Sequence, residues 1–145
     1  MNRSTLFWIM IAFVITGLLD SAYLTYLSLM PPTSCPVGSF GFLSCNEVIY
    51  SSYSKFFGVS VALLGLGWFV IAFGLIVLAR RNQRFMYGLV TWSFLGAIGV
   101  AGFVYTELFL IESVCAFCTV AHVTGIALLL LSVLGLGYHV ALHES

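Results

Sequence analysis

Charge is what this sequence has least of. Only 7% of its 145 residues are Asp, Glu, Lys or Arg, against roughly 25% in an ordinary soluble domain. So few charges cannot cover the surface of a water-soluble protein of this length, and 61% of the residues are hydrophobic. An integral membrane protein of one domain is expected. The five basic and five acidic residues cancel, which leaves no basic footprint for a nucleic acid. Lysine occurs once, at Lys55, and proline three times, at Pro31, Pro32 and Pro36. Pro31-Pro32 ends the helical run before it, because proline lacks the amide donor and clashes with the preceding turn.

Crossing a hydrocarbon core of about 30 Å takes about 20 helical residues. Four apolar runs are long enough, at about 6–29, 56–79, 85–111 and 114–142. Residues 30–55 are the one long polar stretch, rich in Ser and Gly, with a short helix expected near Asn46–Ser52. The expected fold is an all-α bundle of four transmembrane helices with a cysteine-containing outer loop. Lys and Arg near span ends set orientation. Arg3, Arg80, Arg81 and Arg84 share one end with both termini, and that end is expected to be cytoplasmic. The outer loop and the 112–114 turn share the other end, so all four cysteines face outward together. Read instead as a cleaved signal peptide, the first run would end at Asp20-Ser21-Ala22, a poor cleavage site.

Cys115-Ala116-Phe117-Cys118 opens the last run. Cysteines three apart share a helix face. At a helix N-terminus the free amides and the dipole favour a thiolate, the species that attacks disulfides. His122 extends the same face one turn deeper. Cys35 and Cys45 lie in the outer loop, and four cysteines permit three pairings. Redox chemistry, inert disulfides and a four-cysteine zinc site are the readings open to them. The nine residues between Cys35 and Cys45 are unlike a close zinc-ligand pair, and the outward face permits disulfides.

Asp20 is an acid within the first apolar run. Such groups usually face a cavity or the bundle interior, through either a functional role or a hydrogen bond to a neighbouring helix. Glu107 and Glu112 are expected at the outer boundary as solvated carboxylates. Gly17 with Ser21, and Gly96, Gly99 and Gly102, have the spacing of close helix packing. The aromatic residues are expected to face lipid or, like Trp8 and Tyr26, to sit at the interface.

Three stretches together resemble the vitamin K epoxide reductase family, in its bacterial form. They are Gly17-Leu18-Leu19-Asp20-Ser21-Ala22-Tyr23-Leu24-Thr25; Cys45-Asn46-Glu47-Val48 with Ser51, Ser52 and Phe57-Gly58; and Val114-Cys115-Ala116-Phe117-Cys118-Thr119. The resemblance covers essentially the whole chain. It implies a quinone-dependent thiol oxidoreductase of the cell (inner) membrane that supports disulfide formation, with ubiquinone or menaquinone as acceptor. Electrons would pass from a thioredoxin-fold partner to a Cys35–Cys45 disulfide, then to Cys115 and Cys118, and then to the quinone. Cys118, His122, Ser51 and Asp20 are the residues expected near the quinone. No thioredoxin-like domain follows the fourth run in this sequence, so the partner, a DsbA-like protein, is expected to be separate. The vertebrate members carry tyrosine where this chain has His122, and an asparagine early in the second helix. Here that region reads Val61-Ala62-Leu63-Leu64-Gly65, which favours plain quinone reduction over epoxide chemistry. The alternative of another class is a membrane scaffold or transporter subunit with structural disulfides.

Overall fold

In hydrocarbon a backbone amide finds no water, so an apolar run satisfies its polar groups by becoming a helix. The computed structural model describes residues 2–31 and 43–144, with side chains as far as Tyr138. Cys35 lies outside the described residues. The elements are α1 (Arg3–Ser28), α2 (Cys45–Ile49), β1 (Lys55–Phe56), β2 (Val59–Ser60), α3 (Val61–Arg81), α4 (Arg84–Tyr105) and α5 (Ala116–Glu144). A π-helical segment, Thr106–Ile111, continues α4. Among the described residues, four helices are long and apolar enough to cross a membrane: α1, α3, α4 with its extension, and α5 to Tyr138. The protein is therefore an all-α integral membrane protein, as its scarcity of charge requires.

The apolar residues from Phe56 onward do not enter a helix until Val61. β1 and β2 pair antiparallel instead. Their two-residue turn uses left-handed backbone at Phe57 (φ 50) and Gly58 (φ 81), the combination that matches strand twist in a tight hairpin.

Around the bundle, α1 packs against α3 and α5, and α4 packs against the same two. That leaves α1 and α4 diagonal. Leu6, Met10 and Val14 meet Phe69, Ala72, Ile76 and Ala79, with Met86, Leu89 and Leu128 completing the core. Leu19, Val70, Leu130 and Leu134 point outward, where lipid is their solvent. Two glycines permit close approach: a Cβ at Gly17 would come within 2.3 Å of the Phe69 ring, and one at Gly96 within 2.4 Å of the Trp68 indole. Gly99 and Gly102 behave otherwise. A Cβ at either would meet nothing within 4 Å, so they do not make the helix contact their spacing suggested; they line a cavity. Trp92 steadies that region by donating from Nε1 to the Trp68 carbonyl at 3.1 Å.

The arginines and the cysteines occupy opposite ends of the bundle. Arg3 opens α1, Arg80 and Arg81 close α3 and Arg84 opens α4, with the Arg80 guanidinium 4.7 Å over the Phe7 ring. Cys45 and Cys115 lie where α2 and α5 begin.

Candidate active site

Polar ties around α2 put two sulfurs side by side. Leu43 pairs with Val114 in a short bridge, and the Ser44 amide donates to the Val114 carbonyl at 3.2 Å. The Ser44 hydroxyl caps α2 by accepting from the Glu47 amide at 3.5 Å, and the Ser113 hydroxyl donates to the Glu47 carboxylate. From the other end of α2, the Tyr50 hydroxyl donates to the Leu27 carbonyl of α1 at 2.8 Å. Held this way, the Cys45 sulfur lies 3.0 Å from that of Cys115.

Cys115 stands directly before α5 and caps it. Its carbonyl accepts from the Thr119 amide at 2.9 Å and its sulfur from the Cys118 amide at 3.4 Å. The first amides of a helix have no partner within it. Here those of Phe117 and Cys118 face the Cys115 sulfur, and those of Ala116 and Phe117 face the Cys45 sulfur. A hydrogen bond from the Cys118 thiol is the largest influence on Cys115; with that from Cys45 and the two amides it outweighs burial and brings the thiol down to about 6. Burial, and then the interaction with Cys115, push Cys45 up to about 12. The thiolate of the reduced cluster therefore resides on Cys115.

Cys115 is wholly buried. Cys118 is half-buried and lines a cavity of about 750 Å³ together with Ser51, Trp68, Phe103, Glu107 and His122. The His122 ring lies parallel to that of Phe103, with centroids 6.5 Å apart. The Ser51 hydroxyl donates to the Val48 carbonyl at 2.9 Å, which leaves its oxygen lone pairs for another donor. Asp20 is buried within electrostatic range of Cys115. Among the described residues its Oδ2 has no hydrogen-bond partner, and it is not part of the cavity wall. The structure thus gathers Cys45, Cys115 and Cys118, puts Cys118, Ser51 and His122 on one cavity, and sets Asp20 behind Cys115.

Glu107 differs from its expected place in solvent: it is 6% exposed. It lies in the π-helical segment, whose extra residue per turn rotates side chains out of the α register and recurs at functional sites. Its carboxylate is within hydrogen-bonding reach of the Cys115 amide, and the residue lines the same cavity as Cys118. One sequence signal pointed to it: Glu107 is the single acid between Arg84 and Ile111, in a run that otherwise crosses hydrocarbon. A smaller cavity, about 390 Å³, lies at the arginine end beside Arg3, Phe7 and Arg80, and none of the described cysteines lines it.

Three thiols lie in contact at one end of the bundle, and Cys118 stands on a ligand-sized cavity. The sequence matches the vitamin K epoxide reductase family over residues 8–133, most of its length, and the protein belongs to that family. Its members are oxidoreductases whose chemistry is linked in general to quinones. No individually curated protein matches the chain significantly.

Proposed function

We propose that the protein is a quinone-dependent thiol oxidase that reoxidises a separate thioredoxin-fold partner and so supports disulfide formation. The observation that carries this reading is the series of sulfurs. Cys45 lies 3.0 Å from Cys115, within the ~3–3.5 Å of a near-attack arrangement, and Cys118 follows on the cavity wall.

The steps follow thiolate attack through mixed disulfides. A partner thiolate attacks Cys35 of the Cys35–Cys45 disulfide and releases Cys45 as thiolate; the partner's second thiol then frees Cys35. Cys45 attacks the sulfur of Cys115, breaking the Cys115–Cys118 bond and releasing Cys118 toward the cavity. Cys35 attacks Cys45, which restores the loop disulfide and expels Cys115. A low thiol pKa favours departure, and that of Cys115 is about 6. The acceptor, a quinone, takes two electrons from the Cys115/Cys118 pair and two protons, one of them from the Cys118 thiol.

The cavity suits a quinone. Its ~750 Å³ lies within the range of about 300–1,000 Å³ for ligand sites. Trp68 and Phe103 supply flat apolar wall, while Cys118, His122 and Ser51 bring the polar groups to orient a ring carbonyl. With arginines clustered at the far end, the positive-inside rule turns the cysteine end outward. Two sulfurs on one zinc would stand about 3.8 Å apart, from Zn–S bonds of about 2.3 Å in tetrahedral geometry; the 3.0 Å found here suits exchange better. A static disulfide needs two sulfurs, whereas a third in contact gives it a route of exchange.

The test is steady-state quinone reduction by the full chain in nanodiscs, driven by a thioredoxin-fold dithiol or by dithiothreitol. Wild type is expected to reduce quinone with both donors, and Cys118→Ala with neither. Cys35→Ala should fail with the protein donor and work with the small dithiol. A wild type inactive toward ubiquinone and menaquinone analogues alike would overturn the proposal.

A further inference from the structure

Oxidising the Cys115/Cys118 pair delivers two electrons, and a quinone needs two protons with them: that of the Cys118 thiol and the one given up when the Cys115 thiolate forms. The proton of Cys118 is already at the cavity. That of Cys115 is not, because Cys115 is 0% exposed and is absent from the cavity wall. Two buried carboxyls flank Cys115: Asp20 of α1 and Glu107 of the π segment. Only Glu107 also lines the cavity. The other titratable groups of this cluster and its cavity are Cys45 of α2, Cys118 and His122 of α5, and Tyr53 and Lys55 between α2 and α3.

We propose that the Glu107 carboxyl takes the proton that leaves the Cys115 sulfur and delivers it into the cavity, joining thiol oxidation to quinone reduction. The inference rests on the quinone-linked reading above. In the reduced protein Cys115–SH and Glu107–COO⁻ become Cys115–S⁻ and Glu107–COOH. On oxidation, Cys115–S⁻, Cys118–SH, Glu107–COOH and quinone give the Cys115–Cys118 disulfide, Glu107–COO⁻ and quinol. Two electrons and two protons move, and one negative charge remains on each side. Proximity to Cys115 alone would suit a purely structural acceptor for its amide. Lining the Cys118 cavity as well is what a proton carrier requires.

The experiment compares wild type, Glu107→Gln and Glu107→Asp, all full-length in nanodiscs. Gln keeps an acceptor for the Cys115 amide but cannot carry the proton; Asp keeps the acid on a shorter arm. Two rates are read: single-turnover reduction of saturating short-chain quinone by the pre-reduced protein, and reduction of the oxidised protein by a dithiol. Glu107→Gln is expected to slow the quinone step by about 100-fold or more, the usual scale of a lost proton-transfer group. The dithiol step should stay within about twofold, and Glu107→Asp should recover part of the quinone rate. Wild-type quinone reduction by Glu107→Gln would overturn the inference alone. Equal losses in both steps, unrecovered by Asp, would also overturn it in favour of a structural role. A wild type that reduces no quinone would instead overturn the functional reading, and this inference with it.

Discussion

The thiolate on Cys115 has a consequence for the redox potential that can be read directly. An ordinary pair of thiols takes up two protons with two electrons, so its potential falls by about 59 mV per pH unit. With Cys115 near 6 rather than the usual 9.0, the reduced pair binds only one proton above about pH 6. With Glu107 replaced by Gln, so that no carboxyl there takes up the Cys115 proton, the slope should halve in that range, to about 30 mV per unit, and return to about 59 mV below pH 6. The sign follows from the direction of the shift. A depressed thiol pKa stabilises the reduced form; the gain is complete above the ordinary thiol range and vanishes as pH falls through 6. At about pH 7.5 the ionisation amounts to about one and a half decades, which makes the pair about 45 mV more oxidising than one with ordinary thiols. The titration would use Cys35→Ala with Glu107→Gln, which keeps the Cys45 thiol beside Cys115 and removes the proton-accepting carboxyl, equilibrated with dithiothreitol buffers from pH 5 to 9 and quenched with a mass-tagged alkylator. Replacing Cys45 as well removes one hydrogen bond to Cys115. At about 1 kcal/mol for such a bond, the break should rise by somewhat under one pH unit. A slope of 59 mV throughout, with no break, would refute the assignment of the thiolate to Cys115.

Two further outcomes separate site from scaffold. Gly99→Leu fills the cavity from a position where a Cβ meets nothing within 4 Å, so thermal stability should hold or rise by up to about 1 kcal/mol while the KM for quinone climbs at least tenfold. Gly96→Ala, whose Cβ would sit 2.4 Å from Trp68, should instead lose about 1–3 kcal/mol of stability. Tyr50→Phe removes the tie from α2 to the Leu27 carbonyl. Exchange between Cys45 and Cys115 should slow several-fold in rapid-quench trapping, and quinone reduction by the pre-reduced Cys115/Cys118 pair should not change.

Helix number could be read from the sequence, because scarcity of charge leaves an apolar run of this length few ways to satisfy its backbone. The common end of Cys45 and Cys115 also follows once four crossings are counted. Which sulfurs touch does not. The 3.0 Å approach of Cys45 to Cys115 depends on the Leu43–Val114 bridge and the Ser113–Glu47 hydrogen bond, contacts between segments some seventy residues apart that no local pattern encodes. Gly96, Gly99 and Gly102 share one spacing and all line the cavity, yet only Gly96 packs against Trp68; the partner helix distinguishes them. Glu107 was hidden by its position near a span end, where a carboxylate normally reaches water. The π turn holds it inside instead.

The most direct measurement is a single turnover under anaerobic conditions: fully reduced Cys35→Ala/Cys45→Ala protein, whose loop cannot draw the new disulfide away, mixed with one equivalent of short-chain quinone, with quinol and disulfides quantified together. The account predicts one quinol formed for each disulfide, with the new bond mapped by mass spectrometry between Cys115 and Cys118. Quinone left unreduced, or quinol formed while Cys115 and Cys118 remain thiols, would contradict it.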